Sequence, residues 1–161
     1  MTEEKLLSLK KAQIEFAKIT NNQVWGLLDK ANRTPAEDEE MLLTAYASLY
    51  HWSKAGTAVN IQRGYWMLGK VYISLGKSKP ALEASIRCKD LSDNNPDEMN
   101  DFDLAFAQEL LARAYALSGD LKEAEKQYKL AVDLGEKIQD PEDQKIFLGD
   151  LHGGDWFQLI K

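Results

Sequence analysis

Apolar residues recur along this chain with the period of an α-helix, and no segment shows the alternation of a strand. Leu9, Ala12, Phe16 and Ile19 are spaced by three, four and three residues, which predicts one buried stripe of a first helix, continuing unevenly through Trp25 and Leu28. Thr34-Pro35-Ala36-Glu37 reads as a capping box with proline at the first helical position, so a second helix starts near Pro35 and carries Leu42, Ala45, Leu49 and Trp52 on one face. Gly56 supplies its stop, expected in the left-handed conformation. Ile61, Tyr65, Leu68, Tyr72 and Leu75 define a third helix that ends before Gly76, and a fourth opens at Pro80 with Ala81, Ser85 and Cys88 inward. Asp93-Asn94-Asn95-Pro96 breaks the pattern, with Asn95 and Glu98 placed as cap and third residue of a long fifth helix. Gly119-Asp120 separates it from a sixth, where Leu121, Ala124, Tyr128 and Ala131 share a face, and Asp140-Pro141 opens a short seventh. The expectation is an all-α fold of about seven helices.

Charge is divided unevenly. Residues 1–89 hold 13 Lys/Arg and 9 Asp/Glu, a balance of +4, whereas residues 90–161 hold 7 and 17, a balance of −10. Met41 to Leu82 contains no acidic residue but includes Lys54, Arg63, Lys70, Lys77 and Lys79, so this stretch should face an acidic surface, either the C-terminal half or another subunit. The acidic total and few arginines argue against nucleic acid. No apolar run approaches the roughly 20 residues of a membrane span, and the acidic start Met1-Thr2-Glu3-Glu4 does not read as a secretion signal. One cysteine, Cys88, cannot close an internal disulfide, and two histidines leave no metal-ligand set, so a cytoplasmic protein without metal or cofactor is expected.

The third and fourth helices repeat in the fifth and sixth. Tyr65, Leu68, Gly69, Tyr72, Gly76, Ala81 and Cys88 align with Gln108, Leu111, Ala112, Tyr115, Gly119, Ala124 and Ala131. Gly69 and Ala112 are small where two helices of a pair would touch. Leu68-Gly69-x2-Tyr72 and Ala124-x3-Tyr128 resemble the signature of the tetratricopeptide repeat, W-x2-L-G-x2-Y followed by A-x3-F. Tyr65 and Gln108 stand where the family has tryptophan, Ser85 replaces an aromatic, and the closing proline is absent. Gly69 and Ala112 lie 43 residues apart instead of the roughly 34 of the family, with the extra length falling between Leu91 and Asp103. The run Tyr50-His51-Trp52 with Gly56, Asn60, Arg63 and Trp66 also resembles a pattern in bacterial proteins of this kind. The resemblance implies a right-handed stack of antiparallel helix pairs in one domain over 1–161. Residues 1–56 would be a degenerate pair, 57–92 and 96–138 repeats, and 140–161 a capping helix with a tail.

No phosphate-binding or dinucleotide-binding glycine motif and no G-x-S-x-G elbow occurs. Cys88 falls at a small packing position, and His51 between Tyr50 and Trp52 reads more readily as a packing residue than as a base. The family lines its groove with the first helix of each pair. The resemblance therefore assigns the groove to Arg63, Trp66, Met67, Lys70 and Ile73 from one repeat, and to Phe106, Glu109, Leu110 and Arg113 from the next. The chaperone-tail clamp of the family uses Lys and Asn where Trp66, Met67, Phe106 and Leu110 stand, which argues against that ligand. What remains is a non-enzymatic scaffold for a protein or peptide, with arginines suited to an acidic partner. The alternatives are a sensor holding a small anion between His51, Arg63 and Arg113 with Trp66 as a wall, or a self-associating structural protein. The tail's Trp156, Phe157, Leu159 and Ile160 beyond Gly153-Gly154 would cap helices six and seven or dock into a neighbouring copy, with the terminal carboxylate near Arg63 or Arg113.

Overall fold

The computed structural model describes residues 1–159; Ile160 and the terminal carboxylate of Lys161 lie outside the described residues. Seven α-helices follow one another: α1 (Glu3–Leu28), α2 (Pro35–Ala55), α3 (Ala58–Ser74), α4 (Ser78–Asn94), α5 (Asp101–Ser118), α6 (Leu121–Gly135) and α7 (Pro141–His152). Among the described residues there is no strand, and no helix is long and apolar enough to cross a membrane. Neighbours in sequence pack as antiparallel partners, and α3 also meets α5 as α5 meets α7. The odd-numbered helices thereby form one side of the stack.

Local chemistry fixes most boundaries. Thr34 Oγ1 accepts from Glu37 N at 3.3 Å while Glu37 accepts from Thr34 N at 2.9 Å, closing the expected capping box with Pro35 at the first helical position. Gly76 and Gly119 take the left-handed conformation, at φ 66° and 85°, that lets the chain leave α3 and α5 and turn back. Gly56 does not: its backbone is extended at φ −87°. Its lack of a side chain matters for space instead, since a Cβ there would lie 2.8 Å from Asn60 Cβ and from the Trp52 carbonyl oxygen.

The extra length between the repeats enters by a longer α4 and a single 3-10 turn, Pro96–Glu98. The expected cap at Asn95 is displaced: α5 starts after Asn100, with Asp103 as the third helical residue of its capping box. Pro96 starts only the turn, which Glu98 fastens to α3 by accepting from Ala58 N at 3.2 Å.

Packing overturns the stripe expected on α1. Leu9, Phe16 and Ile19 are each about half exposed, and the fully buried residues are Ala17 and Val24. The small face of α1 turns inward because α2 approaches it closely, with Ser48 Oγ donating to the Ala17 carbonyl at 2.9 Å. Among the described residues α2 is the main neighbour of α1, so the larger residues of its other face stay about half exposed. Two main apolar clusters follow. One gathers Val24, Met41, Ala45, Leu49, Met67, Leu68 and Val71 from α1 to α3, and the other gathers Phe106, Ala112, Ala124, Ala131, Phe147 and Leu151 from α5 to α7 with Trp156. Gly69 lets α3 approach α4 and α5 closely, since a Cβ there would meet Leu110 Cδ2 at 2.8 Å and Ser85 Oγ at 3.3 Å.

The tail behaves as a cap on its own chain. Trp156 is buried, packs edge-on against Tyr128 of α6 at 4.9 Å between ring centroids, and donates Nε1 to the Leu151 carbonyl at 3.1 Å. Phe157 and Leu159 pack against the same cluster. The apolar anchor that docking into a neighbouring copy would require is therefore used within the chain.

Candidate functional site

A row of aromatic rings crosses the odd-numbered helices. Trp25 of α1 lies 5.8 Å from Trp66 of α3, Trp66 meets Phe106 of α5 edge-on at 5.6 Å, and Phe106 meets Phe102 at 4.6 Å and Phe147 of α7 at 5.0 Å. Helical spacing explains it: Phe102 and Phe106 are four apart on one face, and each remaining ring comes from the matching face of a neighbouring helix. Offset and edge-to-face pairs at these separations are the favoured geometries of aromatic quadrupoles.

The row forms the floor of a groove with two adjoining cavities. The first, of about 430 Å³, is lined by Asn21 and Trp25, by Gln62, Arg63, Trp66 and Met67, by Asn100, Phe102, Asp103 and Phe106, and by Asp143, Ile146 and Asp150 of α7. The second, of about 650 Å³, shares Trp25 and Asp150 and continues over Lys70, Ile73, Glu109, Leu110 and Arg113 to the tail at Gly153, Gly154, Asp155 and Phe157. All nine residues placed at the groove by family resemblance thus line one cavity or the other. His51 does not. It sits between α1 and α2, its Nδ1 2.5 Å from Gln13 Oε1 and its ring 5.4 Å from Phe16, so His51, Arg63 and Arg113 do not converge on one ligand.

Each cation of the groove already has a carboxylate of its own. Arg63 grips Asp103 with two donors, Nε at 2.7 Å and Nη2 at 3.0 Å, and the buried Asp103 also accepts from Asn100 N at 3.1 Å. The Asp103 side chain raises the Arg63 pKa further above its already high value. Lys70 Nζ pairs with Asp150 at 2.9 Å and sits over the faces of Trp66 and Trp25, 4.8 and 5.7 Å from their centroids. These two pairs join the acid-free third helix to the acidic C-terminal half, the attraction that the uneven charge called for. Arg113 pairs with Glu109 one turn earlier, donates to the carbonyls of Asp150 and Asp155 at 2.9 and 2.8 Å, and stacks on Trp156 at 4.1 Å. Burial pushes the Glu109 carboxyl above its ordinary range even with Arg113 beside it.

The balance of the lining is therefore acidic. Asp29, Asp103, Glu109, Asp143, Asp150 and Asp155 face Arg63, Lys70 and Arg113, six carboxyl groups against three cations. The expected hold on an acidic partner does not follow from this arrangement, because Arg63 and Arg113 are engaged within the chain. Asp143, Asp150, Asn21 and Trp25 escaped assignment because they lie on helices outside the recognisable repeats; the only signal in the sequence was an aromatic and carboxylates on the first and last helices.

Cys88 is not presented as a nucleophile. It is buried, and burial raises its thiol far above the usual range, so it stays protonated. Among the described residues no cluster of histidine, cysteine and carboxylate side chains is placed to hold a metal ion.

The tetratricopeptide repeat family model matches residues 62–95 and 107–137. No curated protein and no solved structure is significantly similar to the chain. The matched segments fall on the helix pairs α3–α4 and α5–α6, so two tetratricopeptide-like repeats lie within residues 62–137.

Proposed function

We propose that this protein is a non-enzymatic scaffold that binds a protein or peptide partner along the groove of α1, α3, α5 and α7. The observation that carries the reading is the continuous pair of cavities over an aromatic floor. Its walls come from four helices packed on each other, so the surface exists before any partner arrives and little ordering entropy remains to oppose binding. Repeat stacks of this kind bury their own apolar faces between neighbours and leave one side as an extended surface.

The test places a photoreactive side chain at Ile146, which is 54% exposed within the groove, or at Leu43, 63% exposed on α2 and absent from the lining. Partner capture from position 146 and not from 43 is expected. With the photoreactive side chain moved to Asn21, which lines the same cavity, Trp25→Ala and Ile146→Glu should each abolish capture at the groove without moving the melting temperature by more than a few degrees. Undiminished capture by both variants would refute the groove as the binding surface.

A further inference from the structure

The polar groups left over in the first cavity select the chemistry of its occupant. Asp143 lines it half-buried and makes no hydrogen bond or ion pair through its carboxylate among the described residues. The nearest cation of the wall, Arg63, is held by both oxygens of Asp103. Lys70 is likewise balanced by Asp150. A further carboxylate entering here would meet an excess of negative charge and no uncommitted cation, whereas an entering cation would supply the missing charge.

The protein already performs this recognition once on itself. The Lys70 ammonium rests on the faces of Trp66 and Trp25 while Asp150 takes its charge, the combination of ring quadrupole and carboxylate that suits a basic side chain. The length of the groove favours a peptide over a small amine: the first cavity adjoins the second through Trp25 and Asp150, so a chain anchored beside Asp143 can continue toward the tail.

Resting on the groove-binding function above, we infer that the cavity between α1, α3, α5 and α7 takes a lysine or arginine side chain of an extended peptide, whose charge is met by Asp143 beside the Trp25–Trp66 wall. Asp143 supplies the charge that selects a basic side chain.

Four sub-libraries of extended peptides, differing only in a central Lys, Arg, Gln or Glu, are titrated against the full chain. Lys and Arg peptides should bind about tenfold more tightly than Gln peptides, and Glu peptides more weakly still, with the preference shrinking as salt rises. Asp143→Asn should remove that preference while leaving Gln peptides unchanged, and Asp143→Lys should move it toward the Glu sub-library. Thermal melting of both variants checks that α7 remains folded. Binding that ignores the central residue, or favours Glu, overturns the inference and leaves the scaffold reading intact. Binding by no sub-library overturns both. Competition by butylamine as effective as by the Lys peptides would assign the site to a small amine and overturn the peptide as its occupant.

Discussion

Replacing Arg113 by methionine should destabilise the protein more than any other single change in the groove, and in a pH-dependent way. The Arg113 side chain is 12% exposed and that of Glu109 5%, so the pair is nearly out of water. Methionine keeps much of the aliphatic volume but removes the charge, the bonds to the Asp150 and Asp155 carbonyls and the stack on Trp156. Removing one partner of a buried pair leaves the other uncompensated, at a general cost of about 3–5 kcal/mol. The Glu109 carboxyl then resolves that cost by protonating. Its folded-state pKa is already raised by burial, and Arg113 is the first of the groups that oppose the rise, so the variant raises it further. A raised folded pKa means that the folded state holds its proton more tightly than the unfolded chain. Stability is therefore greatest below the unfolded value and falls as pH rises toward the folded one. The deficit of Arg113→Met should be largest near neutral pH and shrink toward pH 4–5, and Glu109→Gln in the same background should recover part of it at neutral pH. Urea unfolding of wild type, single and double variants from pH 4 to 8 measures this. A loss below about 1 kcal/mol, or one independent of pH, would show that Glu109 is not held in a dry site by Arg113.

Three further outcomes are expected. Gly135→Ala should cost about 1–3 kcal/mol by overpacking, because a Cβ there would run into the ring of the fully buried Phe147, and thermal melting should show it; an unchanged melting temperature would mean that α6 and α7 are not in contact there. Trp156→Ala should cost about 3–5 kcal/mol and loosen the end of α7, seen as faster amide exchange at Leu151; stability equal to wild type would show that the tail does not cap the stack. Tyr72, pushed up to about 12 by burial and by its 2.7 Å hydrogen bond to Tyr46, should lose its stabilising effect as pH rises from about 10 toward 12, since the unfolded phenol ionises first; Tyr72→Phe should flatten that alkaline limb in pH-dependent melting, and an unaltered limb would refute the shift.

Much of the fold was legible because its signals are local. A capping box such as Thr34-x-x-Glu37, a proline at the start of α2 or α7, and glycines at Gly76 and Gly119 act through backbone groups a few residues away, so the one-dimensional chain contains all that decides them. The repeat was legible for a related reason. Gly69 and Ala112 must be small because a neighbouring helix passes there, and that demand recurs at the same register in each pair. Where a position depends on how many neighbours it has, periodicity misled: Leu9, Phe16 and Ile19 keep helical spacing, but among the described residues that side of α1 stays about half exposed.

The groove was half legible. The family resemblance gave Arg63, Trp66, Met67, Lys70, Phe106, Glu109 and Arg113, and each lines one of the two cavities. Their partners did not follow, because Asp103 and Asp150 reach Arg63 and Lys70 across 40 and 80 residues of chain. An arginine reads from sequence as a free cation, and only tertiary packing tells whether its charge is already met. Electrostatic energy depends on distance in space and on exclusion of water, neither of which sequence separation encodes. The helices, their order and the repeat were thus determined by the sequence alone. The packing of α7 and the tail against α5 decided the sign of the groove's charge.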